Sequence, residues 1–319
     1  MKPILEQNTA RDRKIVIALQ LSVLVFILIG LLGSALIPEP KPEVTVNLDE
    51  VMVTKPVPSA ENFADLTLQA GAVYVWDVKQ ERVLFEKNAD KALPLASITK
   101  LMTSLLAYEL VSESKPTKIS QQALNQDGST GFVEGEELTL ENLNRLALIS
   151  SSNDAAFALA ASVGAALGDK DPAGQFVAGM NLRARELGLD SLEFKNPTGL
   201  DVSLTEPGAT GSAADVSRLV AYILDQYPEL VEPTQDGGAR VYSESGQVHD
   251  VDNTNQVLYM IPNLLASKTG YTDLAGGNLT IAYDAGFNRP VVITVLGSTY
   301  SGRFSDVLAL VKAVNKQVQ

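Results

Sequence analysis

The uninterrupted apolar run "IVIALQLSVLVFILIGLLGSALI", from Ile15 to Ile37, leaves this chain few ways to begin its fold. It carries no charge, and at 1.5 Å per residue it makes about 35 Å of helix, enough for a bilayer core of about 30 Å. Lys2, Arg11, Arg13 and Lys14 precede it. The positive-inside rule therefore predicts residues 1–14 in the cytoplasm, residues 15–37 as a transmembrane signal-anchor, and the remainder outside. A cleaved signal peptide is the competing reading, with Gly33, Ser34 and Ala35 as the cleavage signal. The run exceeds the usual apolar core of about 7–15 residues, which favours the uncleaved anchor. Residues 38–62 hold Pro38, Pro40, Pro42, Pro56 and Pro58 and read as an extended spacer.

Residues 63–319 are long enough to bury a full core as one domain. The whole chain of 319 residues has a formal net charge of -13, and nothing in it resembles the basic stripe that nucleic acid requires. It has no cysteine and a single histidine, so disulfides, thiolate metal sites and histidine clusters are excluded. No metal and no cofactor is expected. His249 lies in the polar stretch "GQVHDVDN" and reads as a surface-loop residue.

Two strands are expected around the polar turn at Asp77 to Glu81, then a helix with Ile98, Leu101, Met102, Leu105 and Leu106 at helical spacing. Thr139 and Ser212 stand where helix caps belong, and Asp215 gives Ser212 the spacing of a capping box. "GNLTIAYDA" and "RPVVITVLGS" read as strands joined by a turn near Gly286 and Asn288. A last helix carries Phe304, Val307, Leu308, Val311 and Val314 on one face. Strands first, helices in the middle, then strands and a helix predict an α+β domain whose outer strands meet in one antiparallel sheet.

Ser97 and Lys100 share one face of an apolar helix. Near the start of that helix the hydroxyl gains from the dipole, and a lysine held neutral by burial can take its proton. Ser112 and Lys115 have the same spacing, but "SESKP" is a hydrophilic helix end and explains itself as solvated chain. Ser151, Ser152 and Asn153 by themselves read as a helix cap, and Lys268, Thr269 and Gly270 as a turn with a cation.

Taken in order, Ser-x-x-Lys, Ser-x-Asn and Lys-Thr-Gly resemble the active-site serine penicillin-recognising enzymes. "MNLRARELGLDSLEFKNPTGLD", "NTNQVL" and "VLGSTYSGRFSDVLALV" resemble the low-molecular-mass D-alanyl-D-alanine carboxypeptidases and endopeptidases. The resemblance implies a β-lactamase/transpeptidase-like fold with a helical subdomain inserted between strands. It implies Ser97 as nucleophile, Lys100 as its base, Ser151 as proton relay and Asn153 as an orienting group. Lys268 and Thr269, with Gly270 in the same motif, would hold the substrate carboxylate, and the N–H groups of Ser97 and Tyr271 would form the oxyanion hole. The implied partners are peptidoglycan stem peptides, with β-lactams as inhibitors, at the outer face of a bacterial cell membrane.

Two departures stand out. Such carboxypeptidases often carry a further β-domain, whereas here the last helix closes the sequence and the expected anchor is N-terminal. "GSAAD" puts Ala214 where an arginine is common, which shifts expectation from a terminal carboxylate toward cross-link cleavage. A serine β-lactamase is the first rival, but "EFKNPTGLD" lacks the glutamate that activates its water. A non-catalytic binding module or acylated receptor is the second, and the brevity of residues 1–14 counts against signalling.

Overall fold

The polar turn after Asp77 separates strands β1 (Ala72–Asp77) and β2 (Arg82–Lys87), the first hairpin of a computed structural model that describes residues 61–319 apart from Ser129, Asp169 and Gln319. Helix α1 (Glu61–Ala64) precedes them. The predicted cytoplasmic segment, the anchor and the spacer up to residue 60 lie outside the described residues. Among the described residues no helix is long and apolar enough to cross a membrane.

After β2 the chain leaves the sheet. Strand β3 (Leu93–Pro94) runs into a 3-10 turn over Ala96–Thr99 and helix α2 (Lys100–Leu110). Next come β4 (Pro116–Lys118), α3 (Gln121–Leu124), β5 (Glu137–Thr139), α4 (Leu140–Ile149), α5 (Asn153–Leu167) and α6 (Pro172–Glu186). Strands β6 (Glu193–Phe194) and β7 (Ala209–Gly211), then helices α7 (Ala213–Gln226) and α8 (Pro228–Val231), lead to the hairpin β8 (Gly238–Tyr242) and β9 (Val248–Asp252). The chain then returns through β10 (Leu264–Thr272), β11 (Gly276–Asp284) and β12 (Pro290–Ser298), and ends in α9 (Gly302–Val318).

The outer strands do meet. The sheet has the order β10-β11-β12-β1-β2, antiparallel throughout, with β12 against β1 through Ala72↔Leu296 to Asp77↔Val291. Both of its faces are covered. Val291, Ile293 and Val295 point into the layer shared with Phe304, Val307, Val311 and Val314 of α9. Val292 and Leu296 point the other way, with Ala213, Val216 and Val220 of α7. Thr294, on that second face, meets Ser217 Oγ of α7 at 2.7 Å and Thr280 at 2.8 Å, so the buried hydroxyls satisfy one another. Burial on both sides explains why these strands read as near-continuous apolar runs.

Helix starts follow the capping chemistry of the sequence. Thr139 Oγ1 accepts from Asn142 N at 3.2 Å, and Ser212 Oγ from Asp215 N at 3.1 Å. The capping box at Ser212 is only half formed. Asp215 turns its carboxylate to the N–H and hydroxyl of Ser191, at 2.9 and 2.7 Å, and so ties α7 to the loop before β6.

His249 corrects the surface-loop reading. It sits on β9 with its side chain 6% exposed, and its Nε2 is 2.6 Å from Glu136 Oε1, whose side chain is fully buried. The edge of Phe132 packs against the ring at 4.8 Å. The hairpin has a polar solvent face, with Arg240 bridging to Asp250, so the stretch carries no apolar strand signature in the sequence.

Candidate active site

Three segments converge at the free edge of β10. The first is the 3-10 turn carrying Ser97, entered through Ala96 at φ +48°, a left-handed conformation that is costly for alanine. Lys100 is the first residue of α2, and the tight turn brings its Nζ to 2.8 Å from Ser97 Oγ. Lys100 is 0% exposed. Burial and then the charge of Lys268 push it well below the ordinary lysine range.

Two further acceptors surround Lys100 Nζ: Asn153 Oδ1 at 2.6 Å and Thr198 O at 2.8 Å. Asn153 Nδ2 donates to Asp127 O at 2.6 Å, which fixes the amide with its oxygen toward the lysine. Thr198 O is delivered by a loop that passes within reach of the Ser97 turn because Gly199 has no side chain. A Cβ there would lie 1.9 Å from Ala96 O, and φ is +80°. A neutral amine has two hydrogens and one lone pair. Carbonyl oxygens only accept, so in the neutral form, which burial favours, both hydrogens would go to Asn153 and Thr198 and the lone pair would face Ser97 Oγ.

The second segment joins α4 to α5. Ser152 caps α5, its Oγ accepting from Ala155 N at 3.0 Å, so the capping reading of this motif holds for one of its serines. Ser151 instead has φ +62° and accepts from Lys268 Nζ at 2.9 Å. The third segment is β10 itself. Lys268 is 1% exposed and is pushed down to about 7 by burial and by the charge of Arg303. Its Nζ also donates to Thr269 O at 3.0 Å, and the Thr269 and Thr254 hydroxyls are 2.6 Å apart. Gly270 is where β10 touches the Ser97 turn: a Cβ would meet Leu95 O at 2.8 Å and Ser97 N at 3.1 Å.

All eight residues singled out in the sequence thus lie at one locus. They border a cleft of about 420 Å³ whose lining includes Ser97, Ser151, Asn153, Thr269, Gly270 and Tyr271, with Lys100 and Lys268 buried behind it. Ser112 and Lys115 do not form a second site: Ser112 Oγ meets Ser114, and Lys115 Nζ donates to Ser162 O at 3.2 Å.

The lining also includes residues that the sequence does not single out, Asp252, Asn253, Thr254, Gln256, Tyr300 and Arg303. Arg303 is 3% exposed, and its Nη1 donates to Gly270 O at 2.7 Å. Its guanidinium carbon lies 4.5 Å from the Tyr300 ring centre and 4.7 Å from that of Phe304. Burial draws its pKa below the usual arginine value, yet a guanidinium stays charged. A signal for it existed in the sequence. Arg303 stands in the first turn of α9, where the helix dipole disfavours a cation, so some other partner has to hold it there.

A family model described as D-alanyl-D-alanine carboxypeptidase, peptidase S11, matches residues 58–299. Among curated relatives, D-alanyl-D-alanine carboxypeptidase DacF of Bacillus subtilis is 31% identical over 76% of this chain and 61% of its own length. A D-alanyl-D-alanine endopeptidase of Pseudomonas aeruginosa is 30% identical over 76% of this chain and 75% of its own. Among solved structures, penicillin-binding protein D2 from Listeria monocytogenes in its ampicillin-bound form is 28% identical, with a TM-score of 0.65 over 78% of this chain and 98% of that one. The chain therefore spans less than two thirds of the length of the Bacillus relative and nearly all of the Listeria structure. On the extent of the family match, the chain belongs to the D-alanyl-D-alanine carboxypeptidase family, peptidase S11.

Proposed function

We propose that the protein is a serine D,D-peptidase that cleaves the D-alanyl-D-alanine bond, or a D-alanine cross-link, of peptidoglycan stem peptides. The observation that carries this is the contact set of the buried Lys100 Nζ, 2.8 Å from Ser97 Oγ with its other two contacts on carbonyl oxygens, so that a neutral amine there would turn its lone pair to the serine. Ser97 Oγ attacks the carbonyl carbon as its proton passes to Lys100. The carbon–nitrogen bond then breaks, and the departing amine takes a proton relayed through Ser151. Water attacks the resulting ester, and the proton it releases returns to Ser97 as the acid leaves. The N–H groups of Ser97 and Tyr271 hold the oxyanion in both steps.

Arg303 supplies a cation that Ala214 cannot, so the cleft keeps a partner for a terminal carboxylate beside Lys268 and Thr269. That restores the carboxypeptidase reading beside the endopeptidase one. β-Lactams would acylate the same serine, as the ampicillin-bound form of the Listeria relative suggests. Residues 15–37 would anchor the enzyme in a bacterial cell membrane with the cleft outside. The β-lactamase reading is the weaker. Asp252 is the one carboxylate among the described residues lining the cleft, and it is exposed at the rim.

The test is the intact mass of the full chain after incubation with benzylpenicillin, with the remaining drug measured in the same tube. A lasting penicilloyl adduct, absent in Ser97→Ala, is expected. Consumption of the drug without an adduct would mean a β-lactamase. No adduct with the drug untouched would overturn acyl transfer at Ser97.

A further inference from the structure

The trans peptide between Gly270 and Tyr271 has two ends, and the structure shows what holds one of them. Its carbonyl oxygen accepts from Arg303 Nη1 at 2.7 Å, a buried, charge-assisted hydrogen bond. In a planar trans peptide the N–H points opposite to the C=O, so the N–H of Tyr271 projects away from the guanidinium. Gly270 lies against the Ser97 turn, with its ideal Cβ position 3.1 Å from Ser97 N, so this peptide borders the reacting centre.

We infer that Arg303 is a positioning residue for the oxyanion hole: it orients and polarises the Gly270–Tyr271 peptide so that the Tyr271 N–H is a stronger donor. The inference rests on the reading of Ser97 and Tyr271 as oxyanion donors. A fixed positive charge at the carbonyl oxygen favours the amide resonance form with negative oxygen and positive nitrogen, which sharpens the N–H as charge builds on the substrate oxygen. No proton moves and no bond changes. The guanidinium suits the task because it cannot lose its charge and is held between the rings of Tyr300 and Phe304. Its Nε is buried without a hydrogen-bond partner.

The size of the effect follows from two magnitudes. Hydrogen bonds in series strengthen one another by about 10–30%, and an oxyanion donor is worth about 10²–10³ in rate; weakening one by that fraction costs roughly two- to eightfold. Such a loss is small beside removal of the donor. It can be told apart from loss of a carboxylate anchor, because it persists when the substrate has no carboxylate.

The experiment compares the full chain with Arg303→Met and Arg303→Gln. Each is acylated with benzylpenicillin labelled with carbon-13 at the β-lactam carbonyl, and the ester stretch is read by difference infrared spectroscopy. In parallel, kcat and KM are measured on a stem-peptide analogue ending in a carboxamide. The expected result is an ester band at higher wavenumber in both variants, with kcat on the carboxamide lower by roughly two- to eightfold and KM unchanged. Arg303→Gln keeps a neutral donor near the carbonyl, so a folded Gln variant suffices if Met does not fold. An unmoved band with unchanged carboxamide kcat, alongside a raised KM for the carboxylate substrate, overturns the inference and leaves Arg303 a carboxylate anchor only. Absence of any adduct in the unmodified chain instead overturns the Ser97 reading, and the inference falls with it.

Discussion

Lys100 Nζ lies 2.8 Å from Ser97 Oγ, and Lys100 is 0% exposed. An ammonium in that position would be desolvated and would stand near a second buried lysine. Each effect favours the neutral amine, so the cost of burying lysine is also what would suit it to the proposed role of base.

Replacing that base separates chemistry from packing. Lys100→Met should keep the fold, because the methylene stem is retained, while the rate of penicilloyl-adduct formation falls by about 10²–10⁴. Time-resolved intact mass reads it. Acylation at the unmodified rate would remove Lys100 from the role of base.

The pH dependence of acylation should show a basic limb. Lys268 sits near 7, so its positive charge is lost as pH rises through that value, and with it the proposed partner for the substrate carboxylate. Second-order acylation rates should therefore fall above about pH 7 in the free enzyme. Lys268→Arg keeps the charge at every working pH and should flatten that limb, even if the larger head group lowers the rate throughout.

The same group makes stability depend on pH with a defined sign. Lys268 has a folded value of about 7 against 10.5 for an ordinary lysine, so between these values the unfolded chain holds a proton that the folded chain has released. Stability from this group is complete above the unfolded value and is lost as pH falls to the folded one. Thermal midpoints should rise from about pH 7 toward 10, and Lys268→Met should reduce the slope. A midpoint that falls over that range by the Lys268-dependent part would contradict the burial.

Gly270→Ala tests the contact between β10 and the Ser97 turn. The new methyl would meet backbone on both sides, at Leu95 O and Ser97 N, and backbone cannot swing aside like a side chain. The N–H groups proposed as oxyanion donors should separate, with a loss of about 10²–10³ in acylation rate, comparable to removing one donor. Near-normal thermal unfolding would locate the damage at the site.

The buried His249–Glu136 contact predicts a structural effect instead. His249→Ala leaves Glu136 Oε1 without its ring partner in a side chain that is fully buried. A loss of about 1–3 kcal/mol in urea unfolding is expected. The residual acylation rate of the folded fraction should change little, since the pair lies outside the cleft.

Local chemistry was legible wherever it repeats along the chain. The hairpin turn after Asp77, the caps at Thr139 and Ser212, and the apolar face of α9 are short-range facts, and each can be read from residues a few positions apart. The three motifs were legible as a set, although the same Ser-x-x-Lys spacing at Ser112 and Lys115 shows that spacing alone could not choose. The burial of His249 is not legible along the chain, because nothing next to it in sequence reveals Glu136, 113 positions away.

By itself, the sequence determined the α+β order, the antiparallel hairpins and the residue types of the site. Only the tertiary structure decided their chemical state. The desolvation of Lys100, the orientation of Asn153 by Asp127 O, the delivery of Thr198 O past Gly199, and the grip of Arg303 on Gly270 all join segments distant along the chain. A side chain's proton affinity depends on what surrounds it in space, and those surroundings are set by packing rather than by neighbours along the chain.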